Sequence, residues 1–174
     1  MARAWLACLI ALPLLAACGF EPLHKPAAKG DPAPAQSLAQ IQIRPVEGRI
    51  GQQLHNMLRD RLNPSGQPVS PEYYLVIGLR RTTTDLGIRE DETATRANLR
   101  LTATYNLVSA EDNEVLLNGS SFSVNSYNIL DLEVSYATTV AEEDAIRRGL
   151  REISDNIQLR LSTYFAEAER AETS

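Results

Sequence analysis

The sequence predicts an α/β fold, a two-layer sandwich with two helices on one face of a four-stranded mixed sheet, in the order β-α-β-β-β-α. Three observations carry it. Apolar residues fall at helical spacing over residues 50–62 and again over 146–165. Between them, residues 97–108 alternate strictly, with Ala97, Leu99, Leu101, Ala103, Tyr105 and Leu107 on one side. Asn98, Arg100, Thr102, Thr104 and Asn106 take the other side, so one face of that strand is buried and one meets water or a partner.

The elements follow in chain order. Ile41 and Ile43 alternate with Gln40, Gln42 and Arg44, a short strand stopped by Pro45. In "RIGQQLHNMLRDRL", Ile50, Leu54, Met57, Leu58 and Leu62 make one apolar stripe, and Asn63-Pro64-Ser65-Gly66 ends that helix. "YYLVIGLRR", Tyr73 to Arg81, is apolar on both pleat faces, as a central strand would be. Strand, helix and strand with short links suggest a parallel pair joined by a right-handed crossover. The alternating strand comes next, and Glu111-Asp112-Asn113 turns the chain. Val115 to Val124 returns as a strand with Gly119 as a bulge. Thr139 and Glu142 fit a capping box. From there Ile146, Leu150, Ile153, Ile157, Leu161 and Tyr164 carry a stripe to Phe165, for a helix of roughly 40 Å.

The ends of the chain read differently. A basic Arg3 precedes an almost wholly apolar run from Ala4 to Ala17, which closes on Leu15-Ala16-Ala17-Cys18. The run is shorter than the roughly 20 residues a membrane span needs, and it fits an export signal, residues 1–17. The quartet resembles the bacterial lipobox, in which the cysteine receives a diacylglyceryl group and becomes the first residue of the mature chain. Cys18 is then the lipidation site and the only mature cysteine, so no internal disulfide can form. In lipoproteins of this kind an Asp after the cysteine favours retention in the inner membrane. Gly19 stands there instead, which points to the outer membrane. Residues 18–37, rich in Pro, Ala, Gly and Lys, read as a lipidated start and flexible tether. Residues 38–165 form the folded domain and 166–174 a polar tail.

The mature chain holds 16 basic and 22 acidic side chains, a net charge of −6, which argues against non-specific nucleic-acid binding. No catalytic constellation emerges. His24 sits in the tether and His55 borders the first apolar stripe. Gly119-Ser120-Ser121 lacks the nucleophile-elbow pattern, and Glu90-Asp91-Glu92 lacks the glycine and ligand spacing of a calcium loop. The expectation is a protein that is not an enzyme, with no metal and no cofactor beyond the covalent lipid on Cys18. Fourteen of the sixteen mature cations are arginines. Arg80, Arg81, Arg89, Arg96 and Arg100 fall within one hairpin, whose connection "TTTDLGIREDETAT" is long for a hairpin loop. Arginine grips phosphate in a bidentate fork, so these five are candidate contacts to phosphorylated lipid or to a partner wall. The bland alternative is a solvated loop whose arginines pair with Asp85, Glu90, Asp91 and Glu92.

Taken together, these stretches resemble the LPS-assembly lipoprotein family, LptE. Cys18-Gly19-Phe20-Glu21-Pro22-Leu23 is similar to the family's Cys-Gly-Phe-x-Pro-Leu opening, with His24 where a tyrosine is usual. "ATRANLRLTATYNLV" is similar to its third strand, and "SSFSVNSYNIL" with "SYATTVAEEDAIRRGLREISDNIQLRL" to its last strand, link and long helix. Ser126-Tyr127-Asn128 and Ala137 give it the look of alphaproteobacterial members. The resemblance implies a non-enzymatic outer-membrane lipoprotein on the periplasmic face. It would plug and help assemble the LPS translocon β-barrel, LptD, and bind LPS during insertion into the outer leaflet. The rival reading is an auxiliary lipoprotein of an envelope lipid-transport ABC system.

Overall fold

The computed structural model describes residues 33–88, 94–129 and 135–172. Seven elements run through them: α1 (Ala33–Ala39), β1 (Ile41–Ile43), α2 (Gly48–Leu62), β2 (Tyr73–Ile88), β3 (Ala94–Ser109), β4 (Val115–Asn128) and α3 (Ser135–Glu172). The sheet order is β1-β2-β3-β4, with β1 parallel to β2 and the other pairs antiparallel. One apolar core joins α2, α3 and a single face of the sheet, so the two-layer mixed sandwich predicted by the sequence is the observed architecture.

Strand parity sets the layers. Ile41 and Ile43, then Leu75 and Ile77, then the six apolar residues Ala97 to Leu107 are all buried on the helix side. Leu54, Leu58 and Leu62 of α2 and Leu150, Ile153, Ile157 and Leu161 of α3 face them, each at most 3 % exposed. A fully buried side chain of this size contributes about 1.5–3 kcal/mol, so this face holds the fold. Asn63 closes α2: its N–H donates to Arg59 O at 2.8 Å and its Nδ2 to Ala39 O at 3.1 Å. Arg61 Nε donates to Asp155 Oδ1 at 2.7 Å and ties α2 to α3. Glu111-Asp112-Asn113 is the predicted turn, with Asn113 at φ 60°, a conformation asparagine tolerates. The Asp112 carboxylate accepts the Glu114 N–H at 3.1 Å. The Ser109 hydroxyl first, and then that N–H, hold its pKa below the ordinary value.

Several expectations change. Within 82–95, the described residues 82–88 and 94–95 are strand and not loop. β2 and β3 continue to Ile88 and Ala94, in register, because Thr-rich sequence favours extended backbone even without an apolar face. β2 is central in the sheet but covered on one side only: Val76 is 45 % exposed. The sequence reading ended β4 at Val124 and α3 at Phe165; they reach Asn128 and Glu172. Helix α3 begins by Ser135, so Thr139 and Glu142 lie inside it and do not cap it, and the stretch from 166 is helical to 172. At 38 residues it is about 57 Å long. Helix α1, unexpected from its Pro/Ala composition, occupies the last five residues of the stretch read as a tether.

The register shift between β3 and β4 falls at Leu107/Val108, not at Gly119. Gly119 pairs directly with Tyr105, and a Cβ there would lie 2.5 Å from the tyrosine Cζ and Oη. The glycine makes room for a ring that is 5 % exposed, whose phenol is pushed up by burial and drawn partly back by Arg160. Gly119→Val is therefore expected to expel that ring and destabilise the domain by about 1–3 kcal/mol, read as a lower urea midpoint. Adding Tyr105→Ala to it should cost less than the sum of the two single changes.

Candidate interaction surface

The helices cover one face of the sheet and leave the other open. On that open face stand the even-numbered strand residues: Tyr74, Val76, Arg80 and Thr82 on β2, then Arg96, Asn98, Arg100 and Thr102 on β3. Ser120, Phe122, Val124 and Ser126 continue it on β4. The cross-strand register puts Arg80 opposite Thr102, and Arg100 opposite Thr82, so the two arginines are diagonal neighbours. Such neighbours lie about 7–8 Å apart, a spacing two guanidinium groups on flexible stems can bridge with one phosphorylated headgroup. Arg96, opposite Leu86, extends the stripe toward the hairpin end.

No even-numbered residue of β2, β3 or β4 is acidic. In a chain with formal charge −5, the charged residues of this face within the described strands are all cationic. Aromatic rings steady its cations. The Arg44 guanidinium lies 3.8 Å from the Tyr74 ring centroid, and that of Arg100 lies 4.9 Å from the Phe122 ring. Stacking of this kind leaves the N–H groups at the rim of the fork free to meet an anion.

The five hairpin arginines thus divide. Arg80, Arg96 and Arg100 share the open face. Arg81 points to the helix side and pairs with Glu142 of α3. There it helps shape the polar surroundings of Tyr127, whose phenol is raised by burial first and then by Glu142. Arg89 and Cys18 lie outside the described residues, as does the Glu90-Asp91-Glu92 run. Parity along the strand Tyr73–Arg81 separates Arg80 from Arg81; grouping the five arginines as one hairpin set overlooks it. Arg44 and Phe122 were missed too, because only the sheet brings them onto the face.

Elsewhere chemistry is sparse. His55 Nδ1 sits 3.4 Å from Arg44 O. Among the described residues, no cluster of three or more metal-ligating side chains forms and no helix is long and apolar enough to cross a membrane. A groove of about 940 Å³ between α2 and α3 is lined by Arg49, Arg81, Glu142 and Glu143, whose charges are paired across it.

Comparison with known families decides the identity. A family model described as LptE, lipopolysaccharide-assembly, matches residues 38–161. The chain belongs to the LptE family. A crystal structure described as that of a lipoprotein from Caulobacter crescentus CB15 superposes with a TM-score of 0.63 at 25 % identity. It covers 76 % of this chain and 96 % of its own. A minor lipoprotein from Acinetobacter baumannii shares the fold at TM-score 0.52 and 18 % identity, covering 71 % of this chain and 90 % of that one. Rare lipoprotein B from Shewanella oneidensis does so at 0.50 and 9 %, covering 77 % and 98 %. A search of curated sequences finds no match. At family level this chain is a member of the LptE family of LPS assembly, and the family's role is non-enzymatic.

Proposed function

We propose that this LptE-family protein is anchored in the outer membrane through acylated Cys18, on its periplasmic face. There it plugs and helps assemble the LPS translocon β-barrel, LptD, and binds LPS during insertion. The observation that supports LPS binding best is the acid-free open face carrying Arg80, Arg96 and Arg100. LPS bears phosphate groups, and a bidentate arginine fork suits them. The same polar, threonine- and asparagine-rich face suits the water-rich lumen of a large barrel. The anchor and the proline-containing leader give the domain reach from the bilayer.

A mild-detergent purification tests the barrel reading. A stoichiometric complex with a large outer-membrane barrel is expected; an inner-membrane ATPase complex in its place would overturn the proposal. For LPS, the combined change Arg80→Ala, Arg96→Ala and Arg100→Ala is expected to weaken binding about tenfold or more at low salt. The gap should narrow toward about 1 M salt, where the screening length falls to about 3 Å. Arg81→Ala, on the far side of the sheet, should leave LPS affinity within about twofold. Equal losses from both variants would remove the open face from the account.

A further inference from the structure

One buried polar group is left over by the fold. Tyr105 is 5 % exposed, yet its hydroxyl makes no hydrogen bond among the described residues. Buried hydroxyls are almost always partnered, so an unpaired one points to a partner from outside the chain. Burial raises its pKa more than the nearby Arg160 charge lowers it, so at neutral pH the phenol keeps its proton and can donate. Tyr105 borders a cleft of about 600 Å³ between β4 and α3. That lies within the roughly 300–1,000 Å³ of small-molecule sites.

The walls of the cleft are polar on both sides. Glu152, Asn156 and Arg160 recur every fourth residue of α3, about 6 Å apart along the axis, and line one wall. Gly119 and Ser121 of β4 line the other. Asn156 Nδ2 donates to Ser121 Oγ at 3.5 Å, which leaves the amide oxygen to accept and the serine hydroxyl to donate. Glu152 and Arg160 hold no ion pair among the described residues. Their charges cancel across the site, so it favours neither an anion nor a cation as a whole. An apolar chain would strand these groups without water or partner. A sugar ring meets them all. Its neighbouring hydroxyls donate to a carboxylate and accept from a guanidinium, and the amide, phenol and serine serve those between. Its C–H face needs an apolar surface, and Phe122, 57 % exposed, stands at the rim of the cleft.

We propose that this cleft binds a short neutral oligosaccharide, held by Glu152, Asn156 and Arg160 on one side and by Tyr105 and Ser121 on the other. The site lies on the helix side of the sheet, apart from Arg80, Arg96 and Arg100, and stands whether or not the LPS reading does.

The test uses the mature chain carrying Cys18→Ala, free of detergent, and three phosphate-free probes: maltose, cellobiose and N,N′-diacetylchitobiose. In a ¹⁵N NMR titration to about 20 mM, at least one of them should shift the Gly119 and Ser121 backbone amides and the Asn156 side-chain amide, with a Kd of about 1 mM. Tyr105→Phe should weaken that binding about tenfold and leave the urea midpoint where it was, because no internal hydrogen bond is lost. Glu152→Ala, at an exposed helix position, should weaken it by a similar factor. Arg80→Ala with Arg100→Ala should leave it within about twofold. Absence of shifts with all three sugars would overturn the proposal. So would binding undiminished in both Tyr105→Phe and Glu152→Ala, or a midpoint that falls with Tyr105→Phe, since the phenol would then serve the fold. Tighter binding of inorganic phosphate at the same amides would also overturn it.

Discussion

Cys18→Ala is expected to move the protein from the membrane fraction to the soluble periplasm and to abolish acyl labelling. The effect is expected to be large because no helix among the described residues is long and apolar enough to cross a membrane. Each buried methylene contributes about 0.8 kcal/mol; one acyl chain binds marginally and two or three bind firmly. On the proposed lipobox reading, removing the thiol removes the whole anchor, where a change in the tether would only alter its reach. The folded domain should be untouched, so the variant keeps its native melting curve while losing its address. Label retained on the alanine variant would place the acyl group elsewhere and sink the lipobox reading.

Leu150→Ala is expected to be the most damaging single truncation, at about 2–5 kcal/mol. Leu150 is fully buried, one residue from Gly149, where α3 packs tightly on the sheet. A Cβ on Gly149 would stand 3.1 Å from Leu101 Cδ1, so helix and strand are in tight contact and cannot settle further to fill a void. The cost then includes the cavity as well as the lost transfer free energy. Against a typical domain stability of about 5–15 kcal/mol this is a large share. It should appear as a reduced urea midpoint with an unchanged slope. A loss below about 1 kcal/mol would mean that the helix does relax onto the sheet.

What the sequence made legible depended on whether a face had to be apolar. α2 was clear because Leu54, Leu58 and Leu62 must all meet the core. β3 was clear because every odd residue from Ala97 to Leu107 is buried beneath the helices. Past Arg81, the hairpin loses that dictation: Thr83 and Asp85 lie on the helix side yet stay exposed, so polar residues occupy both faces and periodicity vanishes. The stretch from Thr82 therefore reads as a loop, whereas Arg80 and Arg81 lie in the strand and only its parity divides them. Gly119 was marked as special for the wrong reason, because a strand glycine signals either a bulge or a ring overhead, and only the register with Tyr105 distinguishes them. α1 was hidden by Pro34 and alanines, a composition shared by spacers and by short helices that begin at proline.

The cationic face on an acidic body has an effect on approach as well as on contact. Seen from several screening lengths away, the molecule is an anion and an anionic surface repels it. Salt at physiological strength cuts that view off at about 8 Å. Inside this distance the local arginines outweigh the total, and attraction begins only when that side already points at the target. On the proposed reading, such a particle would ignore a charged bilayer at large and respond to phosphate delivered directly beneath its sheet.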